Sequence, residues 1–190
     1  IAKVVPNVRK NRKRTEESKT MKIATTEEII TMVKLSWAEY FRKIAHTVKL
    51  KSKDQHTQIG AVIVGSNNEI RSTGYNSFPR GIEDFHDERQ ERPEKYYWME
   101  HAERNAIINA ARIGVSTNNC VMYMTSDIPC VDCTRAIINA GIKIIYCEKD
   151  GGTKAEHWEG HHERSIQMLK EAHRTVWYYG ENKPFIDIGE

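Results

Sequence analysis

Two short clusters of metal-binding residue types constrain this chain more than anything else in it: His101-Ala102-Glu103 and Pro129-Cys130-Val131-Asp132-Cys133. Cys130 follows Glu103 by 27 residues, so the chain can use the clusters together only if its fold brings two distant segments to one point. Zinc is borderline-soft and accepts both imidazole nitrogen and thiolate sulfur. Three protein ligands with an open fourth position make a catalytic site, whereas structural sites close with four. One His and two Cys supply three ligands and leave the fourth place to water. Glu103, two residues after His101, stands where it can exchange protons with that water without ligating the metal. A lone His-x-Glu is common by chance, and a lone Cys-x-x-C serves redox chemistry or half of a structural site. Their combination in this order points to a catalytic zinc.

The local context agrees. His101 opens one predicted helix (about 101–113, closed by Gly114) and Cys130/Cys133 open another (about 131–140, ending at Gly141). Two helix N-termini then face the metal, and their partial positive charge favours thiolates. Four cysteines are too few for a disulfide scaffold. Together with the ligand spacing of Cys130 and Cys133, that suits a reducing cytoplasm. Cys120 and Cys147 read as small buried apolar residues.

Hydrophobic residues make up 39% and charged residues 29% of the 190 positions, so the chain can bury a core and is not disordered overall. No apolar run approaches the roughly 18 residues a membrane span requires, and Ile1 to Val5 is too short for a signal-peptide core. The formal charge of +3 is unevenly placed. Residues 1–22 carry eight Lys/Arg against two Glu, a net +6, which leaves −3 for the rest. The expected organisation is a basic N-terminal arm over 1–22 and one domain over 23–190. A mildly acidic domain argues against nucleic acid as its partner, since phosphate-tracking proteins need basic surface around the site.

Thr25-Thr26-Glu27-Glu28 has the form of a capped helix start, and apolar spacing predicts one or two helices over 26–50. Ile59 to Val64 is a buried strand, Asn67-Asn68 a turn, and Glu69 to Tyr75 the returning strand of a hairpin. Residues 76–100 show no clean period, and long irregular segments inside compact domains tend to be functional. Strands follow at 121–125, 142–147 and 175–179, with a Gly-rich loop over 151–160 and a helix over 161–172. Hairpin first, then helix and strand in alternation, is an α/β pattern: a mixed sheet covered by helices. His157, His161 and His162 read as surface histidines, with Gly160 interrupting any helix there. Tyr96, Tyr97 and Trp98 either stack on a base or pack the 76–100 segment.

His-x-Glu followed by Pro-Cys-x-x-Cys is also the signature of zinc-dependent nucleobase deaminases. Further stretches extend the likeness: Thr57-Gln58-Ile59-Gly60-Ala61, Gly74-Tyr75-Asn76-Ser77-Phe78-Pro79-Arg80-Gly81, Glu91-Arg92-Pro93-Glu94-Lys95-Tyr96, and Glu100 to Ile107. On these the chain, over about residues 24–180, resembles the zinc-dependent cytidine deaminase superfamily. Within it the Gly-Tyr-Asn loop and the long insert before His101 resemble the bacterial and phage deoxycytidylate (dCMP) deaminases. The resemblance implies a three-layer α-β-α fold around a mixed five-stranded sheet. It implies the hydrolysis of dCMP to dUMP and ammonia, feeding thymidylate synthesis, with a zinc-activated water attacking C4 of the base while Glu103 carries protons to N3 and then to the leaving amine. Asn76 matches a sugar-binding position, or is an ordinary turn Asn, and backbone groups around Ser126 to Pro129 would line the base edge.

The same resemblance implies allosteric control, with dCTP activating and dTTP inhibiting, Mg²⁺ accompanying the effector, and a homo-oligomer, a hexamer, in the cytoplasm of a bacterium or a phage-infected host. It places the effector at the loop containing Phe78, Arg80 and Gly81. Arg80 and Arg112 are candidates for phosphate and Glu83 and Asp84 for the metal ion; solvated surface charge is the alternative for each. Ser77 stands where most relatives have Gly, which matters if that position needs a positive φ. Two further readings stay open: a zinc deaminase of free nucleosides or of polynucleotide, and a zinc-stabilised binding module without activity.

Overall fold

The computed structural model describes residues 35–84, 86–149 and 159–187. The basic arm, the predicted helix start at Thr25–Glu28, the Gly-rich loop over 151–158 and His157 lie outside the described residues. From Leu35 onward the chain forms one compact unit.

Helix α1 (Trp37–Lys49) is capped by Ser36, whose hydroxyl accepts from the Glu39 N–H at 3.2 Å, and buries Phe41 and Ala45. Strands β1 (Gly60–Val64) and β2 (Ile70–Tyr75) pair antiparallel as the predicted hairpin. Asn68 takes the positive φ of the turn, a conformation that Asn tolerates better than most residues. Residues 76–100 contain a short 3-10 helix (Asp87–Arg89) and the four-residue helix α2 (Lys95–Trp98). This insert is stitched shut at its neck by two backbone hydrogen bonds between Ser77 and Glu100, of 3.1 and 2.9 Å.

Then come α3 (Ala102–Arg112), β3 (Val121–Met124), α4 (Val131–Asn139), β4 (Ile144–Cys147), α5 (Glu159–Glu171) and β5 (Thr175–Tyr178). Gly114 and Gly141 follow α3 and α4 with φ of +71° and +74°, as expected of glycines that end helices. The sheet order is β2-β1-β3-β4-β5. β1 is antiparallel to both its neighbours, and β3, β4 and β5 run parallel, so the sheet is mixed and five-stranded as expected.

Alternation along β1 separates two apolar layers. Ala61 and Ile63 join Ala102, Ala106 and Ile137 on the face covered by α3 and α4, with α5 packed beside α4. Val62 and Val64 join Phe41, Ala45 and Tyr123 under α1. The result is helix, sheet, helix. Gly160 does not interrupt a helix; α5 runs through it, with the Gly160 carbonyl accepting from the Arg164 guanidinium at 2.6 Å. A glycine in the first turn forfeits no intrahelical donor, because the N–H groups there have no partner anyway.

Candidate metal centre

β3 delivers the site. At its end Thr125 N–H donates to the Gly60 carbonyl at 3.0 Å, and the Thr125 hydroxyl accepts from Gly60 N–H at 3.0 Å, locking the strand end to β1. The chain then turns through Ser126 to Pro129. Asp127 Oδ1 fixes this turn by accepting from Ile128 N–H (2.7 Å) and from the Tyr178 hydroxyl (2.6 Å). Thr134 buckles its far side, donating to the Pro129 carbonyl at 3.2 Å. Cys130 is thereby the N-cap of α4 and Cys133 lies in its first turn, while His101 is the N-cap of α3. Both caps have extended backbone and neither side chain bonds its own helix, which leaves them free for a common ligand.

The three ligand atoms lie within 4.8 Å of one another. His101 Nδ1 is 3.5 Å from Cys130 Sγ and 3.4 Å from Cys133 Sγ. Tetrahedral zinc with ordinary Zn–S and Zn–N bonds places sulfur and nitrogen about 3.6 Å apart, so the cluster fits that ion. Electrostatics agree. The hydrogen bond from Cys133 holds the Cys130 thiol down to about 4, with burial opposing and His101 assisting. Burial disfavours the His101 imidazolium, but the hydrogen bond to Cys130 and the charges of Glu103 and Cys130 outweigh it and raise His101 to about 9. The Cys133 thiol is pushed well up, by its bond to Cys130 and by burial. One imidazolium can sustain one thiolate; a second buried thiolate needs a further cation, which a divalent metal provides.

Glu103 is 5% exposed in the first turn of α3. Burial pushes its carboxyl up, with His101 pulling the other way. It shares one cavity with His101, Cys130, Asn76 and Ser126. The Ser126 hydroxyl is buried there without a hydrogen-bond partner, whereas its carbonyl is occupied by Glu148 N–H at 2.8 Å. Asn76 is fully engaged: its amide oxygen accepts from Ser52 (2.7 Å) and Ile59 N–H (2.8 Å), and its nitrogen donates to Asp54 (3.0 Å) and the Thr57 carbonyl (2.7 Å).

Phe78, Arg80, Gly81 and Asp84 meet around a separate cavity with Lys53 and Asn109. Arg80 donates to Asn109 at 2.7 Å and Asp84 pairs with Lys53 at 2.9 Å. Glu83 pairs instead with His86 at 2.8 Å. Arg112 stands exposed at the end of α3 and is not among that cavity's walls. Ser77 has no positive φ; the left-handed residue of this loop is Gly81, at +85°.

Sequence reasoning gave no site role to four acidic or basic side chains of this cavity: Asp54, Arg92, Lys95 and His162. His161 and His162 are not plain surface histidines, since both are half-buried and each lines a cavity, His162 the one that holds Glu103 and His161 a second one bounded by His101 and Cys130. Tyr96 also lines the Glu103 cavity. Trp98 instead stacks under Arg89 at 3.9 Å, and Tyr97 points outward. Cys120 and Cys147 are buried free thiols, as expected.

Residues 35–149 match the family model for the cytidine and deoxycytidylate deaminase zinc-binding region. A deaminase encoded in the luxG 3′ region of Aliivibrio fischeri is 37% identical over 136 residues, covering 72% of this chain and 88% of that protein. Human deoxycytidylate deaminase is 37% identical over 121 residues, covering 61% of this chain; the chain spans 66% of its length. Among solved structures, the dCMP deaminase of cyanophage S-TIM5 superposes with a TM-score of 0.57 at 25% identity, over 74% of this chain and 95% of that one.

Proposed function

The chain belongs to the cytidine and deoxycytidylate deaminase zinc-binding family, and on that premise we propose that it hydrolyses dCMP to dUMP and ammonia. The observation that carries this reading is a three-ligand His/Cys/Cys cluster with a buried, non-ligating carboxyl, Glu103, in the same cavity. His101, Cys130 and Cys133 would hold zinc, which supplies the Lewis acidity that makes water nucleophilic near neutral pH. Glu103 takes the proton of the attacking water, places it on N3 of the cytosine ring, and later transfers a proton to the amine leaving C4. Its raised pKa suits a group that must both accept and donate. In this reading the Ser126 hydroxyl, buried in the cavity wall without a hydrogen-bond partner, supports the base edge. Asn76 faces the sugar; because its amide is already bonded on both sides, it acts mainly by holding Ser52, Asp54 and Ile59 in place.

Regulation belongs to the same reading. dCTP activates and dTTP inhibits from the cavity of Phe78, Arg80, Gly81 and Asp84, with Mg²⁺ taken by Glu83 and Asp84 and phosphate by Arg80 and Arg112. The protein works as a cytoplasmic hexamer and feeds thymidylate synthesis through dUMP.

Ammonia release by zinc-loaded protein, offered dCMP, deoxycytidine, and single-stranded DNA or tRNA, tests the substrate. Turnover of dCMP above the others is expected, and none with or without dCTP would end the reading. Inhibition by dTTP should weaken in Arg112→Glu; equal inhibition removes Arg112 from the effector site.

A further inference from the structure

One wall of the Glu103 cavity is a turn with no ladder to hold it. Ser126, Ile128 and Pro129 all line the cavity, yet residues 125–130 belong to no helix or strand. The two ends of the turn are tied. The Ser126 carbonyl accepts from Glu148 N–H at 2.8 Å, and the Pro129 carbonyl accepts from the Thr134 hydroxyl at 3.2 Å. Its middle depends on one side chain. Asp127 stands between these lining residues but is not itself among the cavity's walls. Its Oδ1 accepts from Ile128 N–H at 2.7 Å and from the Tyr178 hydroxyl at 2.6 Å.

The donor comes from far away in the chain. Tyr178 is the last residue of β5, and β4 lies between β5 and β3, whose end bears the turn. The bond therefore joins the edge of the sheet to the turn across the end of β4. Packing alone would be served by phenylalanine, since the Tyr178 ring already meets Phe185 edge-on with centroids 5.3 Å apart. What the hydroxyl adds is a donor for Asp127. At this length, hydroxyl to carboxylate, such a bond is of the strong, charge-assisted kind.

We propose that Asp127 and Tyr178 are a positioning pair for the deamination site: they set the pitch of the Ser126–Pro129 turn and, through it, how tightly the pyrimidine ring is held. Neither side chain lines the cavity, so both act from behind its wall. The assignment rests on reading the site as a cytosine-nucleotide deaminase. The rival is a clamp: the bond merely fastens β5 to the fold and adds stability.

Tyr178→Phe keeps the ring and removes the donor. In the zinc-loaded full chain its KM for dCMP should rise about tenfold, the lower bound for losing a hydrogen bond to a charged group. kcat should change less, and metal analysis should still find one zinc per chain. Asp127→Ala should lose at least as much, whereas Asp127→Asn, whose amide oxygen accepts from both donors, should recover most of the loss. Because Tyr178 acts through Asp127, the double variant Asp127→Ala/Tyr178→Phe should be no worse than Asp127→Ala alone. An unchanged KM with only a lower urea midpoint, additive losses in the double variant, or no recovery in Asp127→Asn overturns the assignment in favour of the clamp. Hydrogen exchange needs no turnover: the Ile128 amide should exchange faster in Tyr178→Phe than in the wild type, and equal rates overturn the pairing too. A wild type that deaminates nothing yet shows this exchange pattern sinks the deaminase reading and leaves the pair as the holder of the turn.

Discussion

At the scale of single residues, the site joins two kinds of group that differ in how they can be recognised. His101, Cys130 and Cys133 are chemically distinctive, and their spacing is local: a helix N-cap, a second N-cap, and a position one turn on. Glu103 follows from its place beside His101. Lys95 and Asp54 carry no such mark, because each is an ordinary surface residue type until the fold joins them in one wall. Glu103→Gln is predicted to lower kcat by about 10²- to 10⁴-fold, the usual worth of a positioned general acid–base, while metal analysis still finds one zinc per chain. Loss of zinc from that variant would make Glu103 a ligand and not a proton carrier. Cys130→Ser, by contrast, should lose both zinc and activity.

Elements pack here through two glycines that look unremarkable in sequence. A Cβ on Gly60 would lie 2.2 Å from the Ala45 carbonyl oxygen, and one on Gly74 would lie 2.2 Å from Ala106 N and 2.3 Å from the Ala102 carbonyl oxygen. So α1 and α3 approach the hairpin from opposite faces at backbone contact. On the α3 side the approach is sewn by side chains: Ser72 donates to the Ala106 carbonyl at 2.7 Å, and Asn105 and Asn109 donate to the Tyr75 and Thr73 carbonyls of edge strand β2 at 2.8 Å each. Both Gly60→Ala and Gly74→Ala should destabilise by about 1–3 kcal/mol or more, as overpacking does, read as a lower urea midpoint. Gly74→Ala presses on the helix that begins at the candidate ligand His101, whereas Gly60→Ala presses on α1. The former should therefore also reduce kcat/KM under conditions where the protein is fully folded, and an equal activity loss in Gly60→Ala would contradict that division of labour. The hairpin and the helices that follow are legible from alternation, helix periodicity and terminal glycines, with boundaries off by a residue or two. The interior of the 76–100 insert is not, because tertiary bonds from its neck and from Lys95 organise it.

For the molecule as a whole, the layer under α1 sets an upper pH limit. Tyr123 and Tyr146 stack at 4.9 Å, with Tyr179 beside them. Burial pushes Tyr123 up to about 12 and also raises Tyr146 and Tyr179. An unfolded tyrosine ionises near 10, so the folded state holds these protons more tightly. Their contribution is complete below pH 10 and is lost as pH rises from 10 through 12. The urea midpoint should hold steady to about pH 10 and then drop, with phenolate absorbance rising together with unfolding. A flat midpoint to pH 11.5 would show that these rings ionise in place.

Composition and spacing alone determined that this chain carries a three-ligand metal cluster at two helix N-termini with a glutamate at hand, within an α/β frame opened by a hairpin. Those features are written in local chemistry: ligand types, caps, and periods of 2 and 3.6. Tertiary structure alone decided which charges share the cavity with that cluster. It buried Lys95 against Asp54, brought His162 into the cavity wall, spent both ends of the Asn76 amide on the wall, and left the Ser126 hydroxyl unpartnered. The reason is physical. A charged or polar side chain acquires its role from burial and from partners, and those partners come from segments that no sequence window contains.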